Sequence, residues 1–269
     1  MAEMKMGVVG AGGRMGQMLV RTVAETEGMR LVAAIERPGS PALGQDAGEI
    51  AGVGHLGVPI GDDSAALFQE ADAVLEFSSP AATAEHAALA AQNRKVHVIG
   101  TTGLNPAEEA SLRAAAQRTP IVYAPNMSVV VNVMMDLVER VAAILGPDYD
   151  IEIVEMHHRH KVDAPSGTAI GLGKAAARGR GVALEDAAQW SRHGQTGARR
   201  RGGIGFAALR GGDVVGDHTV LFAGEAERLE ITHRCTGRQI YARGAVRAAL
   251  WARDKAPGLY GMRDVLGLG

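Results

Sequence analysis

The chain predicts an α/β protein: a doubly wound parallel sheet first, then a second part of antiparallel character. Three observations carry this. Short apolar runs alternate with helical patterns through the first half. A glycine-rich turn joins the first run to the first helix. After about residue 129 the pattern changes to strand-like runs separated by short turns. Repeated strand–helix alternation is the pattern of a parallel sheet with helices on both faces.

The elements follow in order. Met6–Val9, Leu31–Ile35, Ala73–Phe77, Val96–Ile99 and Ile121–Ala124 are short and bounded by Gly, Pro or polar residues. Runs of this kind read as strands covered on both faces. Helical patterns lie between most of them, at Met15–Glu27, Ala81–Asn93 and Pro106–Gln117. In the last, Asn105 suits the N-cap and Pro106 the first helical position. Val129–Leu145 reads as a long apolar helix, and Asp150–Met156 alternates like a strand. Three further runs, Ile204–Leu209, His218–Phe222 and Leu229–Thr232, read as strands. The turn Arg210-Gly211-Gly212-Asp213 predicts antiparallel pairing of the first two. Arg178–Arg201 is polar and rich in Gly and Arg, and is expected to be a mobile loop. A helix at about Ala242–Arg253 closes the chain.

Bulk properties exclude several classes. Net charge is −2, so no global basic field is present to hold nucleic acid. The single cysteine, Cys235, excludes an internal disulfide and leaves no cysteine cluster for zinc or iron–sulfur. The apolar run after Lys5 breaks at Gly10, too short for a signal sequence or a membrane span. A cytoplasmic protein is expected, with no membrane partner.

The segment Gly10-Ala11-Gly12-Gly13-Arg14-Met15-Gly16 follows the first strand and opens the first helix. Glycines there let the backbone approach a pyrophosphate, and the helix start offers it N–H groups and a positive dipole end. The alternative is a tight strand–helix connection with no ligand; the position at the first strand favours a dinucleotide. The second strand ends in Glu36-Arg37. An acid there accepts hydrogen bonds from ribose hydroxyls, at a typical separation of roughly 20 residues that is slightly exceeded here. Arg37 is able instead to hold a 2′-phosphate, so NADH and NADPH both stand as cofactors. A solvated loop pair is the other reading. A P-loop is excluded, because Gly173-Lys174 has Thr168 where the motif needs glycine and Ala175 where it needs Ser or Thr. No tyrosine has a lysine four positions later. Cys235 lies in a strand-like run, not at the elbow an acylating dehydrogenase uses.

The stretch Glu155–Ala169 carries chemistry. His157, His158, Arg159, His160 and Lys161 follow one another at a strand end. Such a cluster repels itself unless an anion sits among it. Pro165-Ser166-Gly167-Thr168 then starts a helix, with N–H groups and hydroxyls to hold a carboxylate. Histidine moves protons near neutral pH, and a crowded lysine is able to act as an acid. A metal site is the competing reading, but adjacent strand residues face opposite ways and nothing nearby completes a ligand set, so no metal is expected. A solvated basic turn is the other.

This stretch, as E-x-H-H-x-x-K-x-D-x-P-S-G-T-A, closely resembles the signature of the 4-hydroxy-tetrahydrodipicolinate reductase family, the dihydrodipicolinate reductases. The resemblance runs along the chain through Gly10–Gly16, Glu36-Arg37, Gly100–Gly103, Ala124–Met127, Gly202–Gly205, Val215–Thr219 and Glu227–His233. It implies a Rossmann-type N-terminal domain, a C-terminal α+β domain on a mixed sheet, and a homotetramer. It implies NADH- or NADPH-dependent reduction of a small cyclic dicarboxylate in diaminopimelate and lysine biosynthesis. The corresponding domains are residues 1–128 for the dinucleotide and 129–238 for substrate and assembly. Residues 239–269 are expected to return to the first domain.

The resemblance also assigns residues. His157 is the expected acid/base and Lys161 the proton donor; His158, Ser166, Gly167, Thr168 and Arg238 face the substrate. Gly10, Ala11, Gly12, Gly13, Arg14, Met15, Glu36 and Arg37 hold the dinucleotide. So do Gly100, Thr101, Thr102, Ala124, Pro125, Asn126 and Met127. One position departs: the family carries glycine where this chain has Val130. A β-branched residue resists positive φ, so a shifted helix start is expected there. Two other readings are a Rossmann oxidoreductase acting on another carbonyl and a nucleotide-sensing regulator. The first needs no dicarboxylate, and the second needs no His/Lys cluster.

Overall fold

Helices on both faces bury the first apolar run, which forms β1 (Met4–Val9). The computed structural model describes residues 3–268 and continues with α1 (Arg14–Ala24), β2 (Met29–Ile35), α2 (Ala47–Ala51), β3 (Ile60–Gly61) and α3 (Ser64–Glu70). Next come β4 (Ala73–Glu76), α4 (Pro80–Asn93), β5 (Val96–Ile99), α5 (Pro106–Ala115) and β6 (Pro120–Tyr123). The second half runs through α6 (Val129–Leu145), β7 (Asp150–His157), α7 (Gly167–Gly179), α8 (Leu184–Ala187) and β8 (Ala188–Gln189). It ends with β9 (Ile204–Arg210), β10 (Gly216–Ala223), β11 (Arg228–Cys235), α9 (Gln239–Ala252), β12 (Gly258–Tyr260) and α10 (Met262–Leu266).

The chain divides into two units, one joining Met1–Val129 to Arg238–Gly269 and the other spanning Val130–Gly237. In the first, seven parallel strands take the order β12-β6-β5-β4-β1-β2-β3. The order reverses between β1 and β4, and a parallel sheet puts all its C-terminal strand ends on one edge. Gly10, Glu36, Phe77, Gly100 and Ala124 each follow such an end. The sheet is therefore the doubly wound form the alternation predicts. The five predicted strands are its inner members; β4 and β6 stop one residue earlier, at Glu76 and Tyr123. Helix α9 packs its small residues Ala242, Ala245, Ala248 and Ala249 into the same core as β1 and Met127.

In the second unit five strands take the order β11-β10-β7-β9-β8. Strand β10 is antiparallel to β7 and β11, while β9 is parallel to β7 and β8, so the sheet is mixed. The predicted direct pairing of Ile204–Leu209 with His218–Phe222 does not occur, because β7 lies between them. The connection from Arg210 to Gly216 crosses β7 instead of closing a hairpin, with Gly211 N donating to His157 O at 2.9 Å. One face of the sheet is closed by α6 and α7 around Val138, Leu172, Ile153, Phe206, Val220 and Phe222.

The expected mobile loop at Arg178–Arg201 is a second correction. The run of alanines carries α7 on to Gly179, and α8 and β8 occupy part of the remainder. Trp190 stacks on Phe206 with ring centroids 4.7 Å apart. Arg192 and Arg199 both donate to Glu152, so these two basic residues are held against β7. Val130 sits inside α6, 58% exposed, and is not among the described non-glycine residues with positive φ, which are Arg94 and Ala226. Among the described residues no helix is long and apolar enough to cross a membrane, and no group of three or more His, Cys, Asp or Glu is placed to hold a metal ion.

Candidate active site

In the first unit the glycine-rich turn is forced by close approach. Gly10 has φ +74°, and a Cβ on Gly16 would come within 1.9 Å of the Gly10 carbonyl oxygen. The turn delivers the chain into α1, whose N-cap Gly13 contributes no side-chain bond. The first-turn N–H groups of α1 thus lack the side-chain acceptor that Asn105 gives α5 and Ser166 gives α7. Beside this turn lies a cavity of about 450 Å³, lined by Gly10, Gly13, Glu36, Arg37, Phe77 and Ser78 among others. Glu36 accepts from Gly12 N at 3.1 Å, which draws the acid at the end of β2 against the glycine turn. Arg37 is exposed on the cavity wall. An uncapped helix start, an acid and a base around one cavity suit the pyrophosphate and ribose of a dinucleotide. Gly100, Thr101 and Thr102 follow β5, and Ala124, Pro125, Asn126 and Met127 follow β6, on the same sheet edge. They do not line that cavity.

In the second unit alternation along β7 sets a chemical centre. Ile151, Ile153, Glu155 and His157 all point to the buried face. Glu155 is almost fully buried, and His157 Nδ1 meets its Oε2 at 2.6 Å. Arg210 grips both carboxylate oxygens, Nη1 at 2.8 Å and Nη2 at 2.9 Å. The backbone N–H of Ser166 adds a bond of 3.1 Å to Oε1. Burial pushes the Glu155 carboxyl upward, but the bonds from Arg210, His157 and Ser166 outweigh it and hold the group below its ordinary range. An ionised Glu155 takes a proton-bearing Nδ1, which leaves Nε2 of His157 outside this bond.

Ser166 connects this centre to α7 and to β10. Its hydroxyl caps α7 by accepting from Ala169 N at 3.1 Å and contacts His218 Nε2 at 3.0 Å. His218 is buried, and its ring meets that of His157 edge-on at 5.1 Å. Burial, and next the neighbouring His157, lower its pKa from 6.5 to about 4. It is therefore neutral near pH 7. Lys161 follows in the turn after β7. Its ammonium donates to both oxygens of Asp163, at 2.7 and 2.8 Å, and Asp163 is held below its usual range chiefly by that bond.

The structure brings His157, His158, Lys161, Ser166, Gly167 and Thr168 onto one strand end and the helix start after it. Arg238 belongs to the other unit, at the N-cap of α9. The Ser166 hydroxyl is committed to its cap and to His218, and its backbone N–H to Glu155. Glu155, Arg210 and His218 had no role assigned from sequence. A signal existed for two of them: Glu155 shares its strand face with Ile151 and Ile153, and His218 with Val220 and Phe222. A charged residue on an apolar face needs a partner. Nothing local marks Arg210, which reaches Glu155 only through the β7–β9 pairing.

Comparison with known proteins agrees in both halves. The family model described as dihydrodipicolinate reductase, N-terminus, matches residues 4–127, and the one described as dihydrodipicolinate reductase, C-terminus, matches residues 130–266. A 4-hydroxy-tetrahydrodipicolinate reductase of Brucella abortus (strain 2308) is 60% identical over 262 residues, 97% of this chain and 98% of that protein. One from Beijerinckia indica subsp. indica is 57% identical over 269 residues, 100% of this chain and 99% of its own. Among solved structures, a dipicolinate-bound dihydrodipicolinate reductase from Paenisporosarcina sp. TG-14 superposes with a TM-score of 0.78. It shares 25% identity and covers 97% of this chain and 99% of its own.

Proposed function

The chain belongs to the dihydrodipicolinate reductase family, and from that premise we propose that it reduces 4-hydroxy-tetrahydrodipicolinate to tetrahydrodipicolinate with NADH or NADPH, on the route to diaminopimelate and lysine. The observation that carries the reading is the centre built on Glu155. A carboxylate fixed by Arg210 orients His157 beside a basic turn and a helix start suited to anions.

Loss of the ring hydroxyl as water leaves a ring double bond, and the nicotinamide, when bound, would supply a hydride to one of its carbons. The protein's residues supply the rest. Arg14 and Met15, in the first turn of α1, present backbone N–H groups to the pyrophosphate, and Gly10, Ala11, Gly12 and Gly13, whose N–H groups bond to Ile35 O, Glu36 and Gly10 O, shape the turn that lets it approach. Glu36 takes the ribose hydroxyls and Arg37 a 2′-phosphate, so both cofactors are used. Gly100–Thr102 and Ala124–Met127 border the nicotinamide end. Two ring carboxylates need two anion sites. The amides of Gly167 and Thr168 take one; His158 and the Lys161 turn take the other. Lys161 donates the proton that the neighbouring carbon needs, and His157 moves protons through Nε2. Asp163 must release Lys161 for this, and the exposed Asp163 carboxylate loses little to solvent when it does.

The proposed assembly is a homotetramer and the proposed setting the cytoplasm. The outer face of the second sheet supports the assembly. Directly paired strand residues share a face, so Val154, Met156, Ala207, Leu209 and Leu221 lie opposite the covered side. Pyridine-2,6-dicarboxylate tests the substrate reading. It should inhibit competitively with substrate, and pyridine-2-carboxylate far more weakly, because one set of donors is then left without its anion. Equal inhibition by both, or competition with the cofactor instead, would remove the two-carboxylate site.

A further inference from the structure

A carboxylate at the end of β4 is more deeply buried than any group in the site above. Glu76 is 0% exposed, beside the apolar Val74 and Leu75. A charge in such a place is costly unless several donors hold it, and an apolar residue would suit the sheet better. The donors are present. Thr83 Oγ1 at 3.1 Å, His86 Nδ1 at 2.9 Å and the Ser78 hydroxyl meet Oε1, while His97 Nε2 meets Oε2 at 2.7 Å. Burial pushes the carboxyl upward, yet the hydrogen bonds from His86 and His97 hold it below its ordinary range.

The donors sit on segments that shape the cofactor edge. Ser78 and His86 line the cavity beside the glycine turn, and so does Ser64, whose hydroxyl lies 2.9 Å from His86 Nε2. Thr83 reaches Thr101, their hydroxyls 3.0 Å apart, and Thr101 Oγ1 accepts from Ser78 N at 3.0 Å. The loop after β4 and the loop after β5 are thus joined directly, Ser78 to Thr101, and Thr83 ties that junction to one buried charge. We propose that Glu76 is a positioning residue for the dinucleotide: its carboxylate, through Thr83, Ser78 and His86, fixes the cavity wall and the Gly100–Thr102 segment in the geometry that binds the cofactor. This rests on the nicotinamide reading above.

The test is NADH binding by calorimetry, with steady-state kinetics on the same full-length proteins. Glu76→Gln keeps the shape but cannot accept from every donor. Its Kd and KM for NADH should rise about tenfold, while kcat at saturating NADH stays within about threefold. Glu76→Asp should recover part of the affinity, since it keeps the charge. Thr83→Val keeps the carboxylate and both histidines and removes the one hydroxyl that joins Glu76 to Thr101. It should also weaken NADH, by about threefold or more, and it decides the matter if Glu76→Gln does not fold. A folded Glu76→Gln or Thr83→Val protein that binds NADH as the wild type does, with only its Tm lowered, overturns the proposal. Wild-type protein that binds no NADH overturns the underlying cofactor reading instead.

Discussion

Glu155 has two carboxylate oxygens and four donors aimed at them, from His157, Ser166 and both ends of the Arg210 fork. That arrangement fixes the imidazole by one nitrogen and leaves the other for chemistry. His157→Ala and Lys161→Ala should each lower kcat by roughly 10²–10⁴-fold, the range for a positioned acid or base, with NADH affinity nearly unchanged. A variant of either with near-normal kcat removes that residue from proton transfer. Arg37→Ala should raise KM for NADPH and spare NADH, because only the 2′-phosphate offers a charge-assisted partner. Equal losses with both cofactors would place Arg37 elsewhere. His218 makes a stability prediction. Its pKa is 6.5 unfolded and about 4 folded, so below pH 6.5 the unfolded chain takes up a proton that the folded one refuses. Stability present above pH 6.5 should fall, by roughly 2–4 kcal/mol, as pH drops toward 4. His218→Gln should flatten denaturation midpoints across that window; an unchanged slope would contradict the buried neutral imidazole. At this scale the run from His157 to Lys161 stands out in the sequence because basic residues crowd into one turn. Arg210 was not, because its partner lies 55 residues away in the chain.

Between residue and molecule, the elements follow local rules where the chain is long enough to show a period. α6 was legible over its full length, and α5 through Asn105, whose side chain accepts from Ala107 and Glu108 while Glu108 bonds back to the Asn105 N–H. Asn105→Ala should cost about 1 kcal/mol in urea unfolding, as the loss of such a cap does. α2, β3, α3, β12 and α10 are two to seven residues long. They are set by contacts rather than by spacing, which is why periodicity passes over them. The Arg210–Gly216 connection shows a related limit, since a turn sequence cannot reveal that a third strand will pass between two others. Val130 resolves the other way. In a helix its φ is ordinary, so Val130→Gly should leave kcat within about twofold and lower stability by a few tenths of a kcal/mol, the propensity difference alone. A large gain in kcat would show that the valine does distort the helix start.

For the whole molecule, the division into a parallel dinucleotide sheet and a mixed second sheet was readable because strand alternation differs between the halves. The outer apolar face of the second sheet was not, because Val154, Ala207 and Leu221 look like ordinary strand residues until their shared face is known. Sedimentation equilibrium should give four times the 28.0 kDa chain mass. Arg or Glu at Leu209, 49% exposed on that face, should shift it toward smaller species. A wild-type monomer would contradict the assembly. The reaction itself can be followed in one coupled assay. Pyruvate, aspartate semialdehyde and the upstream synthase are mixed with this protein, and the loss of reduced-nicotinamide absorbance is followed. The absorbance should fall only when synthase, both substrates and this protein are all present, and Lys161→Ala should nearly abolish the fall. No cofactor oxidation in the complete mixture, with NADH or with NADPH, would contradict the account.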